Sequence, residues 1–189
     1  MITKKELKSL IKLDKQTYFR NKKSYYYNCL IKSHLYMFMK TIIISRKRFY
    51  YKDKLLKSKI KFIYSIPYFI YGRRYNRLSS KYNIFLLSKF GKEIKIFHEG
   101  IVVNSNSHIG NNILFHGNNC VGNDGKDFIN SPEIGNNVEF GYGSSVIGNI
   151  KIADDVIIGA HALVNTSILE KGSIVVGCPA KVIGNKFKK

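Results

Sequence analysis

The chain has 189 residues, 44% of them hydrophobic, which suffices for one domain with a smaller accessory segment and excludes a disordered chain. The three cysteines, Cys29, Cys120 and Cys178, lack metal-ligand or redox spacing, and their odd number argues against a disulfide framework. We expect a cytoplasmic protein with reduced thiols, because no signal peptide is visible and the longest apolar runs are too short to span a bilayer.

The formal net charge of +20 is confined to the first half of the chain. Residues 1–90 hold 23 Lys and Arg against 3 Asp and Glu, whereas residues 91–189 hold 9 of each sign. Twelve of the 13 tyrosines also lie in the basic half. Three partners fit this composition: an anionic membrane surface, a negatively charged polysaccharide, or nucleic acid, for which no groove-reading motif is present. The alternative is a lysine-rich composition whose aromatics only pack helices together.

Residues 1–82 are predicted to be helical, because Gly and Pro are nearly absent there. Thr3-Lys4-Lys5-Glu6 is a capping-box pattern and predicts a helix N-terminus at Thr3. We expect a second helix over residues 22–50 and a third over Lys54 to Ile66, ended by Pro67. A short fourth helix is expected over Tyr68 to Ser80.

From residue 83 onward the sequence is rich in Gly and Asn, and an apolar residue recurs every six positions. This period fits neither an α-helix nor a simple strand and indicates a solenoid. One interruption lies at residues 124–133, and one extra residue falls between 96 and 103. The positions in register are Ile84, Phe90, Ile96, Val103, Ile109, Phe115, Val121, Ile134, Phe140, Val146, Ile152, Ile158 and Val164.

In such a solenoid three hexads form one triangular coil, and the repeated apolar side chain points to the axis. The frequent Gly and Asn residues are expected to permit the turn dihedrals between faces. A Gly/Asn-rich β-sandwich would not predict apolar residues in this register. We therefore expect a helical region at 1–82, a β-helix at 83–184 with a loop at 124–133, and a basic tail at 185–189.

Several segments between about residues 74 and 184 resemble hexapeptide-repeat acetyltransferases, in the branch of serine acetyltransferases and of capsular polysaccharide or O-antigen O-acetyltransferases. The matching segments are His98-Glu99-Gly100-Ile101-Val102-Val103-Asn104, the stretch 116–122, Asp124-Gly125-Lys126, Ile147-Gly148-Asn149-Ile150, Ile158-Gly159-Ala160 and the stretch 175–183. The resemblance implies a left-handed parallel β-helix that forms a homotrimer. It also implies that acetyl-CoA binds in a groove between neighbouring β-helices and that no metal is needed. A histidine would deprotonate an acceptor hydroxyl, which then attacks the thioester directly.

The resemblance assigns the base to His98. His116 lies close to 18 residues, one coil, beyond His98, so stacked coils are expected to place the two histidines near each other, with His116 orienting substrate or stabilising charge. The carboxylate that pairs with the base in serine acetyltransferases corresponds here to Asn83, and Glu99, Asp124 or a residue of the neighbouring subunit could replace it. The second histidine of those enzymes corresponds to Ser131. Both departures favour a sugar hydroxyl over serine as the acceptor. Acyl-CoA contacts are expected from Gly141, Gly159, Ala160, Ala180 and Lys181.

The sequence thus predicts an acetyl-CoA-dependent O-acetyltransferase that acts on a sugar hydroxyl of a bacterial surface polysaccharide or of a lipid-linked sugar. Such an acceptor would be met at the inner face of the membrane, where residues 1–82 would contact anionic lipid. One alternative is a serine acetyltransferase of cysteine biosynthesis. Another is a non-catalytic β-helix scaffold, or a nucleic-acid-binding protein that works through the basic helices.

Overall fold

A computed structural model describes residues 2–19, 21–126 and 129–188. The chain divides into two compact units, a helical unit, Met1–Ile84, and a solenoid unit, Phe85–Lys189. The helical unit contains α1 (Lys4–Tyr18), α2 (Lys22–Leu30), α3 (His34–Lys57) and α4 (Lys61–Tyr82). Among the helices of the described residues, none is long and apolar enough to cross a membrane.

The capping box at the start of α1 is confirmed. The Thr3 hydroxyl accepts a hydrogen bond from the Glu6 backbone N–H at 3.1 Å, and the Glu6 carboxylate accepts one from the Thr3 N–H at 2.6 Å. Two donors that a helix N-terminus leaves unsatisfied are therefore bonded reciprocally.

The prediction of one helix over residues 22–50 was wrong, because the chain turns between α2 and α3. Lys32 adopts a left-handed backbone conformation, with φ of 49°, that a helix cannot continue through. Ser33 then caps α3, since its hydroxyl accepts a hydrogen bond from the Tyr36 N–H at 3.2 Å. The Ser33 cap could have been seen in the sequence as a helix start.

The predicted end of a helix at Pro67 was also wrong, since Pro67 lies inside α4. Proline removes one backbone hydrogen bond, but α4 packs along α3 through large aromatic contacts. The Tyr51 and Tyr71 rings are stacked with centroids 5.4 Å apart, and the Arg48 guanidinium lies 4.7 Å from the Tyr75 ring centroid. Tertiary packing thus outweighs the local signal of the proline.

A buried ion pair joins α1 to α3. The Arg46 guanidinium donates to both carboxylate oxygens of Asp14, from Nε at 2.6 Å and from Nη2 at 2.9 Å. The Asp14 side chain is fully buried and the Arg46 side chain is 5% exposed. The pair is bidentate, which is the strongest geometry available to these two groups.

The solenoid consists of short strands arranged in three sheets, all parallel except for the last strand. The strands are β1 (Ile84–Leu86), β2 (Lys95–Ile96), β3 (Ile101–Val103), β4 (His108–Ile109), β5 (Leu114–Phe115), β6 (Cys120–Gly122), β7 (Glu133–Ile134), β8 (Glu139–Phe140), β9 (Ser145–Ile147), β10 (Lys151–Ile152), β11 (Ile157–Ile158), β12 (Leu163–Val164), β13 (Ser173–Gly177) and β14 (Ala180–Asn185). The sheet orders are β1-β3-β6-β9-β12, β4-β7-β10 and β2-β5-β8-β11-β13-β14.

The predicted six-residue register is confirmed by pairing and burial. Val103 pairs with Val121 and Val121 with Val146 on one sheet, while Phe115 pairs with Phe140 on another. All ten positions from Val103 to Val164 are buried, and the Phe115 and Phe140 rings stack at 4.8 Å. The repeated apolar side chains therefore form one continuous core along the solenoid axis.

Part of the interruption at 124–133 lies outside the described residues, at positions 127 and 128. It connects β6 to β7, and the Asp124 carboxylate accepts a hydrogen bond from the Lys126 N–H at 3.0 Å. At the other end of the solenoid, β14 pairs antiparallel with β13, and Lys186 and Lys188 make ion pairs with Asp155 and Glu170.

The glycines that follow the inward apolar residues have a different role from the one expected. Gly110 does not have a positive φ; its missing side chain lets the next coil approach. A Cβ there would lie 2.2 Å from the Gly135 carbonyl oxygen. Positive φ occurs instead at turn residues such as Asn112 and Asn137. Close stacking of coils, not turn conformation, requires glycine at Gly110.

Gly110→Ala is expected to destabilise the solenoid by about 1–3 kcal/mol, because the new methyl group forces two coils apart. Gly184→Ala is the matched control, since nothing lies within 4 Å of a Cβ at that position and its φ is not positive. Urea denaturation followed by circular dichroism measures both. Equal stability of the two variants would contradict the stacking argument.

Candidate functional site

One corner of the solenoid collects most of the residues that the sequence singled out. Four turns form this corner, and each leads from a strand of the six-stranded sheet to a strand of the five-stranded sheet: 97–100, 116–119, 141–144 and 159–162. Because the strands before them pair in parallel register, equivalent turn residues stack coil upon coil. Neighbouring coils are about 4.8 Å apart, so the corner presents columns of side chains parallel to the axis.

His98 lies in the first of these turns, and its side chain is exposed. Gly117 occupies the equivalent position in the next coil, and a Cβ there would lie 2.7 Å from the His98 Cβ. The gap left by Gly117 lets the ring of Tyr142, two coils away, reach His98 with ring centroids 6.3 Å apart. An exposed imidazole with space beside it can meet an acceptor and take its proton.

Tyr142 stands between two histidines. Its ring lies edge-on to that of His98, and also to that of His161, at 6.0 Å. Its hydroxyl accepts a hydrogen bond from the Asn118 Nδ2 at 2.6 Å. The Tyr142 side chain is 43% exposed, so a fixed aromatic ring borders the space in front of His98.

A buried amide holds the turns of the corner in place. Asn119 is 1% exposed, and its Oδ1 accepts a hydrogen bond from the Gly117 N–H at 2.9 Å. Its Nδ2 donates to the Gly141 carbonyl at 2.7 Å and to the Ser144 hydroxyl at 3.0 Å. Three hydrogen bonds from one side chain thereby join two coils, which fixes the backbone that carries His98's neighbours.

His116 lies in the adjacent column, in register with Phe97 and not with His98. Its ring stacks on that of Phe97 with centroids 5.0 Å apart, and its Nε2 lies 2.8 Å from Glu139 Oε1. A carboxylate at this distance hydrogen-bonds the ring nitrogen and so orients the ring. Stacking was expected to place His116 next to His98. The structure instead places His116 against Phe97, the residue that precedes His98.

The two candidate partners of His98 differ in their surroundings. Glu99 is exposed and follows His98 directly, and its backbone carbonyl accepts a hydrogen bond from the Asn118 N–H at 2.9 Å. Asn83 belongs to the helical unit, where it caps α4 in the left-handed conformation, with φ of 50°. Pairing of either side chain with His98 stays a prediction.

The residues expected to contact acyl-CoA continue the same corner, beyond His98. Gly141 and Gly159 stack in the column of Phe97 and His116, and Ala160 stacks in the column of His98. A Cβ on Gly159 would lie 2.7 Å from Val176 Cγ1, and Val176 pairs with Lys181 in β14. Ala180 pairs with Gly177 in the same hairpin. His98 and Ala160 are three coils apart, about 14 Å along the axis.

Cys120 is half-buried on β6, and burial raises the pKa of its thiol, which keeps it protonated and a poor nucleophile. Within residues 2–19, 21–126 and 129–188, no group of three or more His, Cys, Asp or Glu is placed to hold a metal ion.

Sequence reasoning missed Tyr142, Asn118 and Glu139. A signal for Glu139 was present: it precedes inward Phe140 as Leu114 precedes Phe115, which puts it one position from His116 in the next coil. Tyr142 was harder to find, because its contact with His98 crosses a whole coil and depends on the absent side chain of Gly117.

Comparisons with known proteins find serine acetyltransferases among the relatives of this chain. No family model matches the chain. A serine acetyltransferase of Staphylococcus epidermidis is 36% identical over 104 residues, covering 54% of this chain and 48% of the relative. One of Staphylococcus aureus is 37% identical over 98 residues, covering 51% and 46%. The chain thus spans about half the length of the curated relatives it matches.

Solved structures agree with the fold. Soybean serine acetyltransferase superposes with a TM-score of 0.72 at 22% identity, covering 95% of this chain and 69% of that one. The Neisseria gonorrhoeae enzyme gives 0.72 at 22% identity, covering 99% and 70%. A Brucella abortus serine acetyltransferase in complex with coenzyme A gives 0.71 at 22% identity, covering 96% and 69%. The chain is therefore a left-handed parallel β-helix preceded by helices, and it is similar to serine acetyltransferases.

Proposed function

We propose that the chain is an acetyl-CoA-dependent O-acetyltransferase with His98 as general base. The observation that carries this proposal is the shared corner, where exposed His98 stacks along one edge of the solenoid with Gly141, Gly159 and Ala160, three of the residues expected to contact acyl-CoA. The names of the relatives support the reaction type, and one related structure is a complex with coenzyme A. A homotrimer with acetyl-CoA between neighbouring solenoids is part of the proposal.

In the proposed reaction an acceptor hydroxyl attacks the thioester carbonyl while its proton passes to the His98 imidazole. An alcohol is a poor nucleophile at neutral pH, and an imidazole can take its proton in the transition state. The new C–O bond forms, the C–S bond breaks, and the coenzyme A thiolate leaves and is protonated. The developing oxyanion needs a donor, for which a backbone N–H suffices. Direct transfer requires no enzyme nucleophile.

The acceptor that the relatives support is serine, because the curated matches bear the name serine acetyltransferase. A sugar hydroxyl of a surface polysaccharide or of its lipid-linked precursor is the second candidate, and Tyr142 favours it. The C–H faces of a pyranose pack well on an aromatic ring, and Tyr142 offers an exposed ring beside His98. Ser131 and Asn83, at the positions resembling the serine-recognition histidine and the carboxylate partner of the base, point the same way.

The experiment is acetyl-CoA consumption by the full chain against a panel that contains serine and the polysaccharide of the source organism. Turnover of either acceptor supports the O-acetyltransferase and decides between the two. Lack of acetyl-CoA binding, together with salt-sensitive binding of nucleic acid, would favour the non-catalytic alternative.

Tyr142→Ala is expected to affect the KM for a sugar acceptor and the KM for serine differently. With a sugar, loss of the stacking surface should raise KM about tenfold. With serine, which has no ring face to stack, KM should change little. Tyr142→Phe is the matched control, because it keeps the ring and removes only the hydrogen bond from Asn118. A rise in KM for serine with Tyr142→Ala would contradict the role assigned to the ring.

A further inference from the structure

The outward face of α4 is apolar where a surface helix is ordinarily polar. Five large apolar side chains on its first half are exposed: Phe62 75%, Ile63 58%, Ile66 52%, Phe69 61% and Ile70 43%. At 100° per residue they fall within about one third of the helix circumference. Monomeric soluble proteins rarely expose contiguous apolar patches of this kind, and such patches mark interaction sites. We call these five residues the α4 stripe.

The α4 stripe is not the face that α4 uses to pack on α3. That face is tyrosine-rich: Tyr71 stacks on Tyr51 of α3, and Tyr75 is 2% exposed beneath the Arg48 guanidinium. Tyr71 and Tyr75 are turned away from the α4 stripe by roughly half a helix turn. The helix therefore has two apolar faces, one used inside the helical unit and one exposed.

Along the sequence, the charged residues that flank the α4 stripe are all positive. Lys57, Lys59 and Lys61 precede it, Arg73, Arg74 and Arg77 follow it, and no Asp or Glu occurs between Asp53 and Glu93. A second copy of the chain placed symmetrically on this surface would bring like charges together, which costs free energy. An anionic partner would instead gain from every flanking charge.

A basic cavity lies beyond the C-terminal end of the α4 stripe. Its volume is about 650 Å³, and five of its lining residues are cationic: Lys32, Lys40, Arg74, Arg77 and Lys81. The other lining residues are uncharged, and Met37, Ile44 and Leu78 are among them. Arg77 follows Ile66 by eleven residues of one helix, about 16 Å along its axis. The α4 stripe and those cationic residues of the cavity that belong to α4 thus follow one another along the helix.

We propose that α4 docks the helical unit on an anionic membrane surface. The α4 stripe enters the boundary between headgroups and acyl chains, and the basic cavity takes anionic lipid headgroups. Interfacial helices combine these features, an apolar face that inserts shallowly and cations that attract anionic lipid. The proposal names the surface for the membrane contact expected of residues 1–82. It does not depend on acetyl transfer.

The test is flotation of the full chain with lipid vesicles. We expect binding to vesicles of phosphatidylcholine mixed with phosphatidylglycerol, little binding to phosphatidylcholine alone, and release by added salt. Phe62→Ser/Phe69→Ser should abolish binding, whereas Leu30→Ser/Ile31→Ser should not, although Leu30 and Ile31 are 81% and 53% exposed in the same unit.

A second pair of variants distinguishes the contribution of the basic cavity to membrane binding from that of the overall charge. Arg74→Gln/Arg77→Gln should weaken partition about 25-fold, since each cation near an anionic surface contributes about fivefold. Lys4→Gln/Lys5→Gln removes the same charge from exposed positions of α1 and should have a much smaller effect. Circular dichroism checks that each variant is folded.

Three results would overturn the proposal: no binding to the anionic vesicles, equal loss in the control variants, or self-association without lipid that Phe62→Ser/Phe69→Ser removes. The last would assign the α4 stripe to a second copy. Acetyl-CoA consumption measured in parallel keeps a failure of membrane docking distinct from a failure of the proposed enzyme activity.

Discussion

His98→Ala is expected to lower kcat/KM for acetyl transfer by about 100- to 10,000-fold, the usual contribution of a general base. No neighbouring group replaces it easily. Gly117 offers no side chain at the equivalent position of the next coil, and His116 is engaged by Phe97 and Glu139. The side chain is exposed, so its removal leaves the buried core unchanged.

The matched control is His108→Ala. His108 is also exposed but lies on β4, in the three-stranded sheet and outside the four corner turns. Acetyl-CoA consumption should remain near that of the unchanged chain in this variant. Circular dichroism should give the same spectrum for both. Retained activity in His98→Ala would remove His98 from the mechanism.

Asp14→Ala is expected to destabilise the helical unit by about 3–5 kcal/mol. The substitution leaves the Arg46 guanidinium, 5% exposed, without the carboxylate that binds it at two nitrogens. An uncompensated buried cation costs far more than the net contribution of the intact pair. Tyrosine fluorescence during urea denaturation is a suitable probe, because 12 of the 13 tyrosines lie within residues 1–90.

Two controls test this argument. Glu133→Ala breaks the exposed pair with Lys151 in the solenoid unit, whose unfolding is followed by circular dichroism, and should cost about 1 kcal/mol or less, because solvent already screens these charges. Asp14→Leu/Arg46→Met replaces both charged groups with apolar ones and should recover much of the loss. If the double variant were as unstable as Asp14→Ala, the loss would arise from packing and not from the buried charge.

The solenoid could be predicted closely from the sequence, because its dominant interaction repeats. Phe115 and Phe140 are separated by the interruption, yet counting hexads on both sides predicts that both point inward, and their rings stack. Burial of one apolar residue per hexad is a strong, periodic signal that few other folds produce.

The helical unit was less predictable, since its boundaries depend on contacts between distant residues. Pro67 is a strong local signal for a helix end, but the packing of Tyr71 on Tyr51 carries α4 through it. The turn at Lys32 contains no Gly or Pro that would indicate it in the sequence. The Asp14–Arg46 pair likewise joins two helices with no sequence pattern linking them.

The candidate site was predictable where it depended on resemblance and unpredictable where it depended on contacts between coils. His98 stands in a motif that can be matched directly. The edge-on contact of Tyr142 with His98, and the pairing of Glu139 with His116, require the exact number of residues in the interruption and the space left by Gly117.

The columns at the corner have a consequence for how such a chain can evolve. Each coil contributes its own turn residues to the corner, while a different residue of the same coil, such as Phe140 beside Tyr142, supports the core. A substitution at Tyr142 can therefore alter the surface of the corner without altering the interior. In the proposed transferase, the choice of acceptor and the stability of the fold would then depend on different positions of one repeat, so single substitutions could change the acceptor while the fold is kept.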